Sequence, residues 1–274
     1  MRLKGYKTTM RTLLIYYPKV WLAVLRKSLT KAMTYRFEFF SKVVRMFLIV
    51  AIQVLLIRSV FAESEYIRGW TVDEYYLLVG FYNIVIYLGW GIFNVNLWRL
   101  EEKVLRGEFD LLLLYPTGSV FSASLMEFFI DDAIPAVPGI LMVGYYVIRH
   151  MNEITWIGIL GSIICLLSAF IVWFSLNISV AAMNFISVKN GILEFLKGIS
   201  KVGSFPIDIF SQNIKILMFT IFPIAFIAVV PTRLLSGTYT WDFVWFSIIA
   251  AVTTLFIALQ VWNFSIRSYT SAGG

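Results

Sequence analysis

Long apolar runs without a charged side chain set the tightest limit on this sequence. No Asp, Glu, Lys or Arg occurs between Glu74 and Arg99, between Glu153 and Lys189, or between Asp242 and Arg267. About 20 apolar residues carry a helix across the hydrocarbon core of a bilayer. Membrane β-strands alternate apolar and polar residues, whereas these runs are continuous. The 59% hydrophobic content and the mean hydropathy of +0.81 agree, since soluble domains hold about 45–50% apolar residues. The predicted class is all-α: a polytopic membrane protein forming one transmembrane domain over 1–274.

Six spans are predicted, at 43–62, 75–98, 122–148, 156–185, 209–230 and 241–265. Before them, residues 13–45 read as an amphipathic helix in the interface plane. Leu22, Leu25, Leu29, Met33, Phe37 and Phe40 recur every three or four residues, with Arg26, Lys27, Lys31 and Arg36 between them. Eleven of the 23 Lys and Arg residues precede Phe47, with Glu38 the one acid among them. The positive-inside rule then puts both termini, 99–121 and 186–213 in the cytoplasm. Glu63, Glu65, Asp73, Glu74, Glu153 and Asp242 fall on the outer side. The basic flank faces anionic lipid and needs no nucleic acid. Trp70, Trp156 and Trp241 read as interface anchors, and His150 as an interfacial polar residue.

Several chemistries are excluded by missing patterns. The sequence has no HExxH, no GxSxG and no Cys/His cluster of metal-ligand spacing. Cys165, the one cysteine, sits in an apolar run and reads as a small buried residue. No GxxxxGK[ST] phosphate loop is present. If transport is driven by ATP, the ATPase is therefore another polypeptide.

Residues 99–121 are the long charged stretch between apolar segments. Glu101, Glu102, Lys103, Arg106, Glu108 and Asp110 offer polar contacts, Leu111–Leu114 an apolar ridge, and Pro116 and Gly118 a stop. The stretch reads either as a docking helix for a soluble partner or as a solvated loop with a lipid-dipping end. Acids at the start of the third span allow two readings as well. Glu127 and Asp131 share a helical face, and Asp132 points about 100° away. Charges at this depth are costly. They form a portal or gate for a cationic substrate, or a structural pairing with Lys, Arg or backbone. A proton- or ion-coupled transporter using Asp131 and Asp132 without an ATPase is the alternative function. Pro135 and Pro138 can kink the third helix, and Asn94, Asn96 and Asn177 can bond between helices.

The stretch Gly107-Glu108-Phe109-Asp110 followed by Leu111–Leu114, Tyr115 and Pro116 resembles the "G-x-[FL]-D-x-x-L-x-x-P" signature of ABC-2 type transporter permeases. Phe205-Pro206, the run Phe222-Pro223-Ile224-Ala225-Phe226 and Val230-Pro231 are similar to that family's fifth span, with Phe205 where tyrosine is usual. Ser268–Gly273 resembles its tail. The resemblance implies a six-helix permease subunit of a drug- or peptide-efflux exporter in a bacterial or archaeal plasma membrane; the 24 Phe and 14 Tyr would also suit a lipid or other amphipathic cargo, or simply face the bilayer. It implies a homo- or heterodimer with two copies of an ATP-binding subunit, which carry the ATP and Mg; this chain carries no cofactor and is not itself an enzyme. Residues 99–115 become a coupling helix, with Glu101, Glu102, Arg106, Gly107, Asp110, Leu111, Leu114 and Pro116 as contacts. Residues 13–45 become the connecting helix. The first, second and fifth spans line the substrate path; Asn94 and Pro223, with Asp131 and Asp132 at the start of the third span, are the candidate pathway or gate residues.

Overall fold

The computed structural model describes residues 10–34, 36–187 and 191–269. Helix α1 (Met10–Thr34) precedes α2 (Arg36–Val60), and a two-strand hairpin follows, β1 (Tyr66–Ile67) on β2 (Trp70–Thr71). The expected interface helix over 13–45 is therefore two pieces, because residues 36–45 already belong to the first spanning helix. Thr71 then starts α3 (Val72–Gly89) with a reciprocal capping box to Glu74, satisfying two backbone N–H groups at once.

A π-helical turn, Trp90–Asn94, joins α3 to α4 (Val95–Trp98). The charged stretch forms α5 (Leu100–Leu105) and α6 (Phe109–Leu113), followed by α7 (Ser119–Ser124). The third span is assembled from α8 (Ile130–Ala133) and α9 (Ala136–Arg149). Pro135 and Pro138 do not kink a running helix. They sit at the cap and in the first turn of α9, where a missing N–H has no intrahelical partner to lose. Next come α10 (Trp156–Ala182), α11 (Ile192–Ser200), α12 (Gln212–Phe219), α13 (Ala225–Leu235) and α14 (Asp242–Ser265).

Among the described residues, five helical stretches are long and apolar enough to cross a membrane: Phe37–Val60, Val72–Leu105, Ile130–Arg149, Trp156–Phe185 and Asp242–Ser268. The single span expected at 209–230 is absent. Pro223 has no N–H and pushes Phe222 out of helical geometry, so the apolar run splits into α12 and α13. With 11 residues, α13 is about 16 Å long, half of what a crossing needs.

Residues 192–209, read from the sequence as part of a cytoplasmic loop, instead travel the length of α3. Lys197 lies over the Trp98 ring at 4.3 Å. A Cβ on Gly203 would come within 3.7 Å of Tyr82, mid-helix. Asp208 accepts a 2.9 Å hydrogen bond from Trp70 Nε1 at the far end. From there α12 dips back, and α13 returns to the same end. At the apex, the half-buried Phe222 packs edge-on against the exposed Phe195 ring at 6.2 Å.

The core centres on α3 and α4, where Leu77, Leu78 and Val85 of the first and Leu97 of the second are fully buried. Two glycines set its closest crossing: a Cβ on Gly139 would lie 2.6 Å from the Gly80 carbonyl. Small residues let membrane helices approach backbone to backbone. Cys165 is buried and unbridged, packed in an apolar cluster with Phe226, Val230, Leu234 and Val244. By contrast α2 is nearly bare on all sides. A reciprocal amide pair between Gln53 and Asn83, at 3.0 and 3.3 Å, ties it to α3.

Candidate coupling site

The charged stretch is a kinked helix with one buried anchor. Gly107 ends the α5 turn in the left-handed region, φ +71°, which a side chain resists. The chain turns there, and Phe109 points inward with no exposed surface. Its ring packs against Phe185 at 4.7 Å and Tyr269 at 5.2 Å, and Phe185 in turn meets Trp262. The Tyr269 hydroxyl lies by the Asp110 carboxylate; burial and then that negative charge push its pKa up. Trp262 Nε1 donates to Ser119 Oγ at 3.0 Å. One aromatic cluster thus ties the stretch to the ends of α10 and α14.

The opposite face is open. Leu111 is 62% and Leu114 79% exposed. Glu102, Arg106 and Pro116 are also exposed, while Glu101 is half-buried. Arg106 pairs with Glu102 and lies 4.0 Å from Glu108, so these charges are partly spent on one another. Apolar knobs beside charges on a water-facing helix match a groove-docking element.

Residues 117–132 form the seat of α1. Tyr17 donates to the Thr117 carbonyl and packs on Phe121. Ser28 donates to the Phe128 carbonyl, and Trp21 packs on Phe128. Asn96 Nδ2 donates to the carbonyls of Ser124 and Glu127, closing the end of α7. The Phe129 N–H donates to the Gly91 carbonyl in the π-helical turn, where a Cβ on Gly91 would strike Ala133.

The third-span acids are all partnered. Lys42 bonds Asp131 and lies 3.3 Å from Asp132; Arg99 lies 3.6 Å from Glu127. The pairing alternative is thus realised, with cations 89 and 28 residues away in sequence. Sequence reading placed Lys42 only in a basic flank and missed its role. Of the four basic candidates on the interfacial segment, Arg26 and Lys27 are exposed, and Lys31 reaches the Phe129 ring at 5.3 Å. The Arg36 side chain, Lys189 and the tail from Thr270 lie outside the described residues.

The candidate pathway residues do not converge. Pro223 lines an apolar groove of about 510 Å³ between α10, α14 and the α12–α13 apex. Asn94 lines a separate small cavity with Trp173, and its Oδ1 has no hydrogen-bond partner among the described residues. Asn177 Nδ2 bonds the Trp173 carbonyl of its own helix.

Arg233 was missed by sequence reading. It is buried, 3.1 Å from Glu74 and 3.5 Å from Asp208, donates to the Gly69 carbonyl and stacks 3.7 Å from the Trp70 ring. Trp70 is accordingly a buried platform and not the interface anchor its position suggested. An arginine near the end of an apolar run carries no local sign of partners 159 and 164 residues away.

A helical bundle with five membrane-length apolar stretches among the described residues, and a kinked, charged segment tied to the ends of α10 and α14, defines a multi-pass membrane protein. The family model for ABC-2 family transporter proteins matches residues 47–273. The chain belongs to that family: it is a membrane permease component of an ABC transporter, a class that works with an ATP-binding subunit. No curated protein and no solved structure matches it.

Proposed function

We propose that this chain forms the substrate path of an ATP-driven exporter as one of a pair of permeases, identical or related. Two separate ATPase subunits carry the ATP and Mg; no cofactor is assigned to this chain. The carrying observation is the pairing of the buried Phe109 anchor with exposed Leu111 and Leu114 on one short kinked segment. A segment gripped on one side and open on the other transmits a push. Closure of the ATPases displaces residues 99–116. The aromatic cluster passes this to α10 and α14, and residues 117–132 pass it to α1, as rigid-body movement.

The coupling end then faces the cytoplasm of a bacterial or archaeal cell, with both termini there. The fifth crossing, between those of α10 and α14, is made in pieces by residues 192–209. Cargo moves between α2, α3 and that broken crossing in the paired transporter. The bare apolar α2 and the apolar groove at Pro223 favour a hydrophobic or amphipathic cargo such as a drug, peptide or lipid. Lys42 shared by Asp131 and Asp132 supports a clasp between α2 and α8 over a proton relay, the gradient-driven alternative.

The test is co-purification with the cognate ATPase. Replacing both Leu111 and Leu114 with Asp is expected to weaken assembly about thirtyfold or more, as loss of interface anchors does. Both side chains are exposed, so the permease itself stays folded. Unchanged assembly together with unchanged substrate-stimulated ATP hydrolysis removes the coupling assignment.

A further inference from the structure

The elbow between α1 and α2 holds two cavities with common walls. One, about 220 Å³, is charged: Lys31 comes from α1, Glu38 and Lys42 from α2, Arg99 from the turn before α5, and Asp131 and Asp132 from α8. The other, about 570 Å³, is apolar and includes Leu29, Met33 and Phe40. Ala32, Phe39 and Ile130 line both. Met33, Phe37 and Phe40 are exposed here, where the interface helix turns into the first spanning helix. A charged chamber continuous with an apolar one at this depth has the polarity of the two halves of a phospholipid.

Charge narrows the headgroup. Three cations and three carboxylates line the chamber, so its walls are formally neutral. Lys42 serves Asp131 and Asp132, and Arg99 is held near Glu127. Lys31 has no carboxylate partner among the described residues. Glu38 reaches only Lys42, at 3.5 Å, with its side chain 62% exposed. One spare cation and one underused carboxylate call for a ligand with both charges. A net-anionic headgroup could answer Lys31 but would leave the exposed Glu38 with only its distant contact to Lys42. A primary ammonium brings three N–H donors to a carboxylate, whereas a quaternary ammonium brings none.

We propose that the elbow binds a zwitterionic aminophospholipid, with its phosphate at Lys31, its ammonium at Glu38 and an acyl chain along Leu29, Met33 and Phe40. The site is separate from the ATPase-docking face and does not depend on that assignment.

The test titrates the full-length protein in detergent with palmitoyl-oleoyl phosphatidylethanolamine and reads bound lipid by native mass spectrometry. The phosphatidylcholine and phosphatidylglycerol with the same chains serve as competitors. Phosphatidylethanolamine is expected to bind about tenfold tighter than either, as charge-assisted hydrogen bonds allow. Glu38→Gln is expected to erase its advantage over phosphatidylcholine, and Lys31→Gln to weaken both while leaving their ratio. Glycerophosphoethanolamine and inorganic phosphate, which lack chains, are expected not to compete at lipid concentrations. Equal binding of the three lipids overturns the proposal, as does discrimination unchanged by Glu38→Gln, or displacement by inorganic phosphate alone. The comparison of lipids on the unsubstituted protein stands even where a variant fails to fold. No ATPase is in the assay, so its failure leaves the coupling assignment untouched.

Discussion

The two ends of the bundle are fastened by opposite chemistry. At the Trp70 end, Arg233 is 6% exposed and answers Glu74, Asp208, the Gly69 carbonyl and the Trp70 ring together. At the Phe109 end, Lys42 and its two aspartates are each about a fifth exposed, and Arg99 and Glu127 more so. The permanent grip there is aromatic, through Phe109, Phe185, Trp262 and Tyr269. A buried charge left alone is expensive, whereas a half-exposed one can turn to water. The first end is therefore costly to open, and the second can be rearranged at little cost. That asymmetry suits a machine driven from one side.

The comparison breaks most directly at Arg233. Arg233→Ala strands Glu74 and is expected to cost about 3–5 kcal/mol, seen as a large drop in melting temperature in detergent. Arg233→Met combined with Glu74→Gln is expected to recover much of it, leaving Asp208 to Lys215, 2.7 Å away. A single variant as stable as the parent would remove the rigid end from the comparison.

A smaller loss is expected from Lys42→Met, about 1–3 kcal/mol. Adding Asp131→Asn and Asp132→Asn is expected to restore part of it, and high salt to narrow the difference, as it does for partly exposed pairs. Arg233→Ala is expected to keep its full effect in salt. Equal salt sensitivity of the two would erase the distinction between the ends.

The smallest effect sharpens the picture at the rim of the Trp70 end. His150 stacks on Tyr146 and meets Asp73 at 3.2 Å and Glu153 at 3.0 Å. Burial lowers its pKa, but bonds to Glu153 and Asp73 outweigh this and leave it raised above 6.5. A raised folded-state pKa adds stability that is complete below the ordinary value and lost as pH rises through the folded one. Melting temperature is expected to fall slightly over that window, and His150→Gln to flatten the change. A parent protein whose stability is flat there contradicts the assignment.

Much of the architecture was legible in the sequence. Uncharged runs announced the spanning helices at α3, α10 and α14, because hydrocarbon tolerates little else. The charges of 99–110 and the stop at Pro116 and Gly118 announced a distinct segment there, but not its turn at Gly107 or the burial of Phe109. The fifth crossing was not legible. The apolar run around Pro223 has a span's composition, and hydropathy does not distinguish one helix through the bilayer from two that enter and return. Residues 192–209 hid for the converse reason: Lys197 and Lys201 made them look cytoplasmic, while the Trp90 and Trp98 rings cover the half-buried Lys197 ammonium.

By itself the sequence determined that this chain is helical and lives in a membrane. Its short signatures also pointed to the ABC-2 family, since those properties follow from composition, local motifs and local backbone rules. Only the tertiary structure decided which charges belong together. Lys42 with Asp131 and Asp132, and Arg233 with Glu74 and Asp208, are pairs across 89 residues or far apart along the chain. Such pairing depends on how helices cross, and the crossings are set by close contacts such as Gly80 on Gly139, which nothing in either glycine's own neighbourhood reveals.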